Sequence, residues 1–240
     1  MSAVQSTFAR PYTPFSAWLT MARVSNSPTV ATNVLVGAAL AGAFEASGAI
    51  ALLVAAFVIF YTAGMVLNDV CDYGWDQTHR PDRPLVVGAV SRNAALAATL
   101  AMLALGSALL WVVSTRAFLA GLVLIGLIVL YDTWHKSNPL SPVVMAGCRL
   151  MVYVGAFVAF AWPISIQVAI AGGVLVLYMV CLTAIAKRGA SGHVVALLIA
   201  GISLVDGLIM LWAQAPLWWL LLAVLAYGLT LLLQRVVEGT

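Results

Sequence analysis

Charge is scarce in this sequence. Of its 240 residues only 8% are charged, eleven basic and eight acidic, whereas a soluble domain carries roughly 25%. So few charges cannot solvate the surface of a globule this size, which excludes a soluble enzyme and a disordered chain. Cysteine is also rare. Cys71, Cys148 and Cys181 stand far apart with no CxxC spacing, which argues against a disulfide scaffold or a thiolate metal site. The net charge of +3 is too small to suggest a nucleic-acid partner. The first fourteen residues lack the apolar run of a cleaved signal peptide, so the first long apolar stretch is expected to stay in the membrane. Internal repeats and low-complexity tracts are lacking as well.

What is abundant is apolar surface. Hydrophobic residues make up 64% of the chain and its mean hydropathy is +1.07. A membrane-crossing helix takes about 20 apolar residues, and lipid forces each spanning segment to satisfy its own backbone. The expectation is an all-α polytopic bundle forming a single domain over residues 1–240. Apolar runs between polar breaks give about eight spans, over 15–44, 49–70, 92–113, 117–134, 140–162, 166–186, 193–213 and 216–234. The first is interrupted by Arg23-Val24-Ser25-Asn26-Ser27-Pro28.

With eight spans, both termini and alternate loops share one side of the membrane. That side collects Arg10, Arg23, Arg80, Arg83, Arg92, Lys136, Lys187, Arg188 and Arg235; the other holds only Arg116, and Arg149 lies within a span. Positive residues mark the cytoplasmic face, so this face is predicted to be cytoplasmic. The acids follow: Asp69, Asp72, Asp76, Asp82, Asp132 and Glu238 fall there, against Glu45 opposite.

The chemistry concentrates between Asn68 and Ser91, NDVCDYGWDQTHRPDRPLVVGAVS. Asp69, Asp72 and Asp76 are three and four apart, within about 60° of one helix face. Carboxylates packed so closely repel one another, and Mg²⁺ is the natural counter-ion because it takes carboxylate oxygens while keeping positions for substrate phosphates. Arg80 and Arg83 follow at once, with a guanidinium geometry that matches diphosphate. A solvated loop of internal Asp–Arg pairs is the plainer alternative.

The segments NDVCDYGWD and RPDRPLVVGAVS resemble the NDxxDxxxD motif and trailing RPxRPLxxG segment of the UbiA superfamily of intramembrane prenyltransferases. Tyr131-Asp132-Thr133-Trp134-His135-Lys136, followed by Asn138-Pro139-Leu140, is similar to the tyrosine-to-lysine segment that this family carries between spans four and five. The resemblance implies a helical bundle around a central cavity, with Mg²⁺ and an isoprenyl diphosphate at the cytoplasmic mouth and the prenyl tail in an apolar tunnel. It implies that Asn68, Asp69, Asp72 and Asp76 hold metal, that Arg80, Arg83 and Lys136 engage the diphosphate, and that Tyr131 faces the cavity. Two features depart from the family. It commonly has nine spans, and it carries a second aspartate-rich motif near the end of span six. Here Tyr178 to Ala190 contains no acid and instead carries Lys187 and Arg188. This pattern, with NPLSPVVMAGCR after span four, resembles the divergent EboC-like branch.

Other residues bear on the site. His79, His135 and His193 lie in or beside loops without an HxxxH or HExxH pair, which weighs against a transition-metal hydrolase. Asp206 and Arg149 fall within spans, where ionisable groups are costly; Asp206 is expected to be structural and Arg149 to line the cavity and bind substrate. Trp218 and Trp219 read as an interfacial aromatic belt, and Trp75 either covers the site or anchors its loop in the headgroups. The expected function is Mg²⁺-dependent transfer of a prenyl group from its diphosphate to a lipophilic or aromatic acceptor, with membrane lipids as surroundings. One Mg²⁺ is expected to bind well, and Lys187 and Arg188 to replace part of a second ion's charge. The alternative is a non-catalytic protein that binds or moves an isoprenoid or other lipid.

Overall fold

The computed structural model describes residues 12–134, 136, 138 and 140–237. Arg10, His135, Pro139 and Glu238 lie outside the described residues. Every regular element within them is helical: α1 (Pro14–Met21), a 3₁₀ turn (Val24–Asn26), α2 (Ser27–Leu40), α3 (Ser47–His79), α4 (Arg92–Val113), α5 (Thr115–Trp134), α6 (Ser141–Phe160), α7 (Ile166–Lys187), α8 (Gly192–Trp212) and α9 (Leu217–Gln234). Seven of these, α3 to α9, are long and apolar enough to cross a membrane.

The predicted first span, 15–44, differs. It is broken where Arg23 adopts left-handed geometry (φ 42°, ψ 49°) and the chain makes the 3₁₀ turn, after which Pro28 sits in the first turn of α2. Proline needs no backbone donor at a helix start, so its position fixes where α2 begins. The 14-residue α2 packs against α3, α6, α8 and α9. At Gly37 a side chain would collide with the backbone oxygen of Tyr153 and with Ala156, so α2 and α6 approach nearly backbone to backbone. Serine side chains start three later helices: Ser91, Ser165 and Ser191 accept from the backbone N–H groups of Ala94, Val168 and Val194.

The predicted second span, 49–70, extends at its C-terminal end. α3 continues to His79, and 33 residues make a helix of about 50 Å against a hydrocarbon core of about 30 Å. The aspartates therefore ride on a rigid helix at and beyond the membrane surface. Trp219 departs from the aromatic-belt expectation: it is 1% exposed and packs edge-on against Phe44 at 5.6 Å, while Trp218 remains exposed.

Candidate active site

Asp69, Asp72 and Asp76 face the same side of α3, as their spacing requires, but their surroundings differ. Asp69 is 3% exposed. Its Oδ1 accepts from Arg23 at 3.2 Å and lies 3.5 Å from Arg83 Nη1, while its Oδ2 is buried without a hydrogen-bond partner. Asp72 pairs with Lys136 at 2.8 Å, and Asp76 is buried. The three aspartates and Arg23, Arg83 and Lys136, with Asn68, Trp75 and Arg80, line a cavity of about 330 Å³. Four cations (Arg23, Arg80, Arg83, Lys136) thus face three carboxylates.

Arg83 shows how this balance is held. Burial, then the like charge of Arg23, lowers its pKa from the ordinary arginine value, with Asp69 acting in the opposite direction. An incoming anion relieves both penalties. Trp75 lines the cavity, stacks on His79 at 4.1 Å and lies under Lys136 Nζ at 5.0 Å, so its place is over the site.

A second cavity of about 380 Å³ runs into the bundle between α2, α3, α5, α6, α7 and α8, lined by Val30, Phe57, Phe60, Tyr61, Leu124, Ile128 and Val152 among others. Arg23 and Asn68 line both cavities. Tyr131, Asp132 and Arg149 line the apolar one. Asn68 donates to Asp132 Oδ1 at 3.1 Å, which ties the end of α5 to α3 where the two spaces meet. The result is a charged mouth continuous in its lining with an apolar chamber.

Deeper in the bundle, Asp206 is fully buried and accepts from Thr32, from Asn33 at 2.8 Å and from Tyr153. Asn33 Oδ1 in turn accepts from Arg149 at 2.9 Å. A buried charge requires such partners, so Asp206 has the structural role expected of it and holds Arg149 against the chamber wall through Asn33.

Of the residues singled out in the sequence, Asn68, Asp69, Asp72, Asp76, Arg80, Arg83 and Lys136 come together in the charged cavity, and Tyr131 and Arg149 in the apolar one. Lys187 and Arg188 are exposed at the end of α7 and line neither. Two residues escaped sequence reasoning as site members. Arg23 carried a signal in being a cation inside an apolar run; Asp132 stood inside the quoted tyrosine-to-lysine segment. Among the described residues no three His, Cys, Asp or Glu side chains converge as a ready-made metal cage. This donor set still fits Mg²⁺, which takes one or two carboxylates and completes its shell with water and substrate phosphates. The buried, unpartnered Asp69 Oδ2 is an oxygen for such an ion.

The apolar helical bundle is that of an integral, multi-pass membrane protein, and its charged cavity adjoins an apolar one. The chain belongs to the UbiA prenyltransferase family, which matches residues 30–187. It is similar to digeranylgeranylglyceryl phosphate synthase of Methanoregula boonei, 38% identical over 44% of this chain and 39% of that protein. The same-named protein of Methanopyrus kandleri is 33% identical over 55% of this chain and 48% of its own length. The matched stretches thus span less than half of these relatives. In fold the chain resembles a UbiA homolog from Archaeoglobus fulgidus bound to GPP and Mg²⁺, with TM-score 0.61 and 16% identity over 92% of this chain and 87% of that one. It also resembles a structure solved in work on digeranylgeranylglyceryl phosphate synthase in membranes, with TM-score 0.64 and 18% identity over 94% and 89%.

Proposed function

We propose that this protein transfers a prenyl group from its diphosphate to a lipophilic acceptor, with Mg²⁺ at the charged mouth and the prenyl tail in the apolar chamber. The observation that carries the reading is the shared lining: Arg23 and Asn68 border both the charged cavity and the apolar one, so one molecule with a diphosphate head and a hydrocarbon tail fills both.

Asp69, Asp72 and Asp76, with Asn68, are the metal-facing residues. When bound, Mg²⁺ neutralises diphosphate oxygens and stabilises the leaving group's charge. Arg83, Arg80 and Arg23 supply guanidinium forks to the same oxygens, and Lys136 reaches from the loop after α5 while paired with Asp72. As the allylic C–O bond breaks, its electron pair leaves with the diphosphate, where these fixed cations are already positioned. The carbocation left behind sits among Phe57, Phe60 and Tyr61, whose ring faces favour a cation and whose packing excludes water.

The acceptor enters from the membrane; its nucleophilic atom bonds to the allylic carbon and gives up its proton to the departing diphosphate. The relatives' name supports a glyceryl phosphate lipid as acceptor, and Arg149 on the chamber wall is a cation suited to its phosphate. The charged mouth lies on the cytoplasmic side, a placement supported by the asymmetry of Lys and Arg. The test is release of diphosphate from geranylgeranyl diphosphate by purified protein with Mg²⁺, with and without geranylgeranylglyceryl phosphate. Release that needs both Mg²⁺ and the acceptor supports the reading; binding of the prenyl diphosphate without release overturns it in favour of a carrier.

A further inference from the structure

Asp132 has no evident structural need for its charge. It is 5% exposed; among the described residues Asn68 alone donates to it, at Oδ1, and Oδ2 is buried with no partner. It makes no ion pair among the described residues; of its charged neighbours, Asp72 and Asp69 are further carboxylates, and the cation, Arg23, is already paired with Asp69 at 3.2 Å. A buried carboxylate beside other carboxylates requires a compensating cation. Asp69 Oδ2 is also buried without a partner; Asp132 lines the apolar cavity and Asp69 the charged one, and Asn68, next to Asp69 and hydrogen-bonded to Asp132, lines both. The stretch from Tyr178 to Ala190 supplies no acid here, and the cations at its end, Lys187 and Arg188, line neither cavity.

We propose that Asp132 ligates a divalent cation through Oδ2 at the junction, so that α5 supplies the acidic ligand that α7 lacks. This rests on the transferase reading for its biological meaning, although the ligation itself is separable from it. Mg²⁺ needs only one or two carboxylates when phosphate oxygens complete the shell, and Asp132 with a diphosphate meets that demand without a three-carboxylate cage. The Asn68 hydrogen bond fixes the carboxylate's rotation, as partners of metal ligands commonly do.

The experiment counts Mn²⁺ bound to the purified full chain in the presence of inorganic diphosphate, by electron paramagnetic resonance. Asp132→Asn keeps the shape and an oxygen for Asn68 but removes the charge. It should lose one bound Mn²⁺ or weaken its affinity roughly tenfold or more, while Asp132→Glu retains it. Equal number and affinity in wild type and Asp132→Asn overturn the proposal. A measurement on wild type stands beside the variants in case they fold poorly: crystals grown with Mn²⁺ and diphosphate should show an anomalous peak against Asp132 Oδ2. A peak against Asp69, Asp72 and Asp76 alone overturns it. If Mn²⁺ binds through Asp132 but no prenyl diphosphate is ever turned over, the transferase reading falls and the ligand assignment stands.

Discussion

Arg83→Met separates the two jobs proposed for the charged cavity. The substitution removes the guanidinium but keeps an apolar stem of similar length, so packing of the mostly buried side chain is largely preserved. Arg83 is 13% exposed and 3.5 Å from Asp69 Oδ1, which retains Arg23 at 3.2 Å. A hydrogen bond to a charged partner contributes about 1.5–3 kcal/mol, and each 1.4 kcal/mol is about tenfold in affinity. Binding of inorganic diphosphate should therefore weaken roughly ten- to hundredfold. Arg80, exposed at the rim, has the strength of a surface pair, about 1 kcal/mol or less, so Arg80→Met should cost no more than about fivefold. Metal binding should move the other way. With one cation fewer competing for Asp69, Mn²⁺ affinity in the absence of diphosphate should rise in Arg83→Met. Calorimetric titrations of diphosphate and of Mn²⁺, run separately on both variants in detergent, read all three effects. A larger loss of diphosphate affinity in Arg80→Met, or parallel losses of metal and diphosphate affinity in Arg83→Met, would refute this account of the cavity.

Other predictions address the remaining parts. Val152→Trp should fill the inner end of the chamber and shift selectivity toward short prenyl diphosphates; at roughly 0.8 kcal/mol per buried carbon, each expelled five-carbon unit costs up to about 4 kcal/mol, and competition between dimethylallyl and geranylgeranyl diphosphate measures it. Tyr153→Phe takes one donor from Asp206 and should lower thermal stability in detergent by about 1–3 kcal/mol; Asp206→Leu, which strands Thr32, Asn33 and Tyr153 together, should cost more. Asp82→Cys, exposed in the loop after α3, should label only from the cytoplasmic side of oriented membranes; labelling only from outside reverses the topology. Chelation of divalent metal should abolish diphosphate release, and added Mg²⁺ should restore it.

Much of this was legible in the sequence because lipid makes composition decisive. The scarcity of charge, the apolar run lengths and the three-and-four spacing of Asp69, Asp72 and Asp76 each report a local property, and the helices and the aspartate face followed. The exceptions are long-range. That the 15–44 run breaks could be read at Pro28, but that α2 packs among four other helices depends on Gly37 meeting Tyr153 across the bundle. Lys187 and Arg188 were natural candidates by charge, yet the turn after α7 leaves them exposed. Asp132 and Arg23 become site residues only because α5 and the 3₁₀ turn converge on Asn68 and Asp69, and no local pattern encodes that meeting.

The central claim is that one molecule spans the charged mouth and the apolar chamber and is cleaved there. Its most direct test is a single-turnover assay of purified wild type and Asp72→Asn with geranylgeranyl diphosphate, Mg²⁺ and the lipid acceptor, following diphosphate and prenylated lipid together. The account predicts equal amounts of both products from wild type and neither from Asp72→Asn or from wild type with chelator. Tight binding of the prenyl diphosphate by wild type with no diphosphate formed would contradict it.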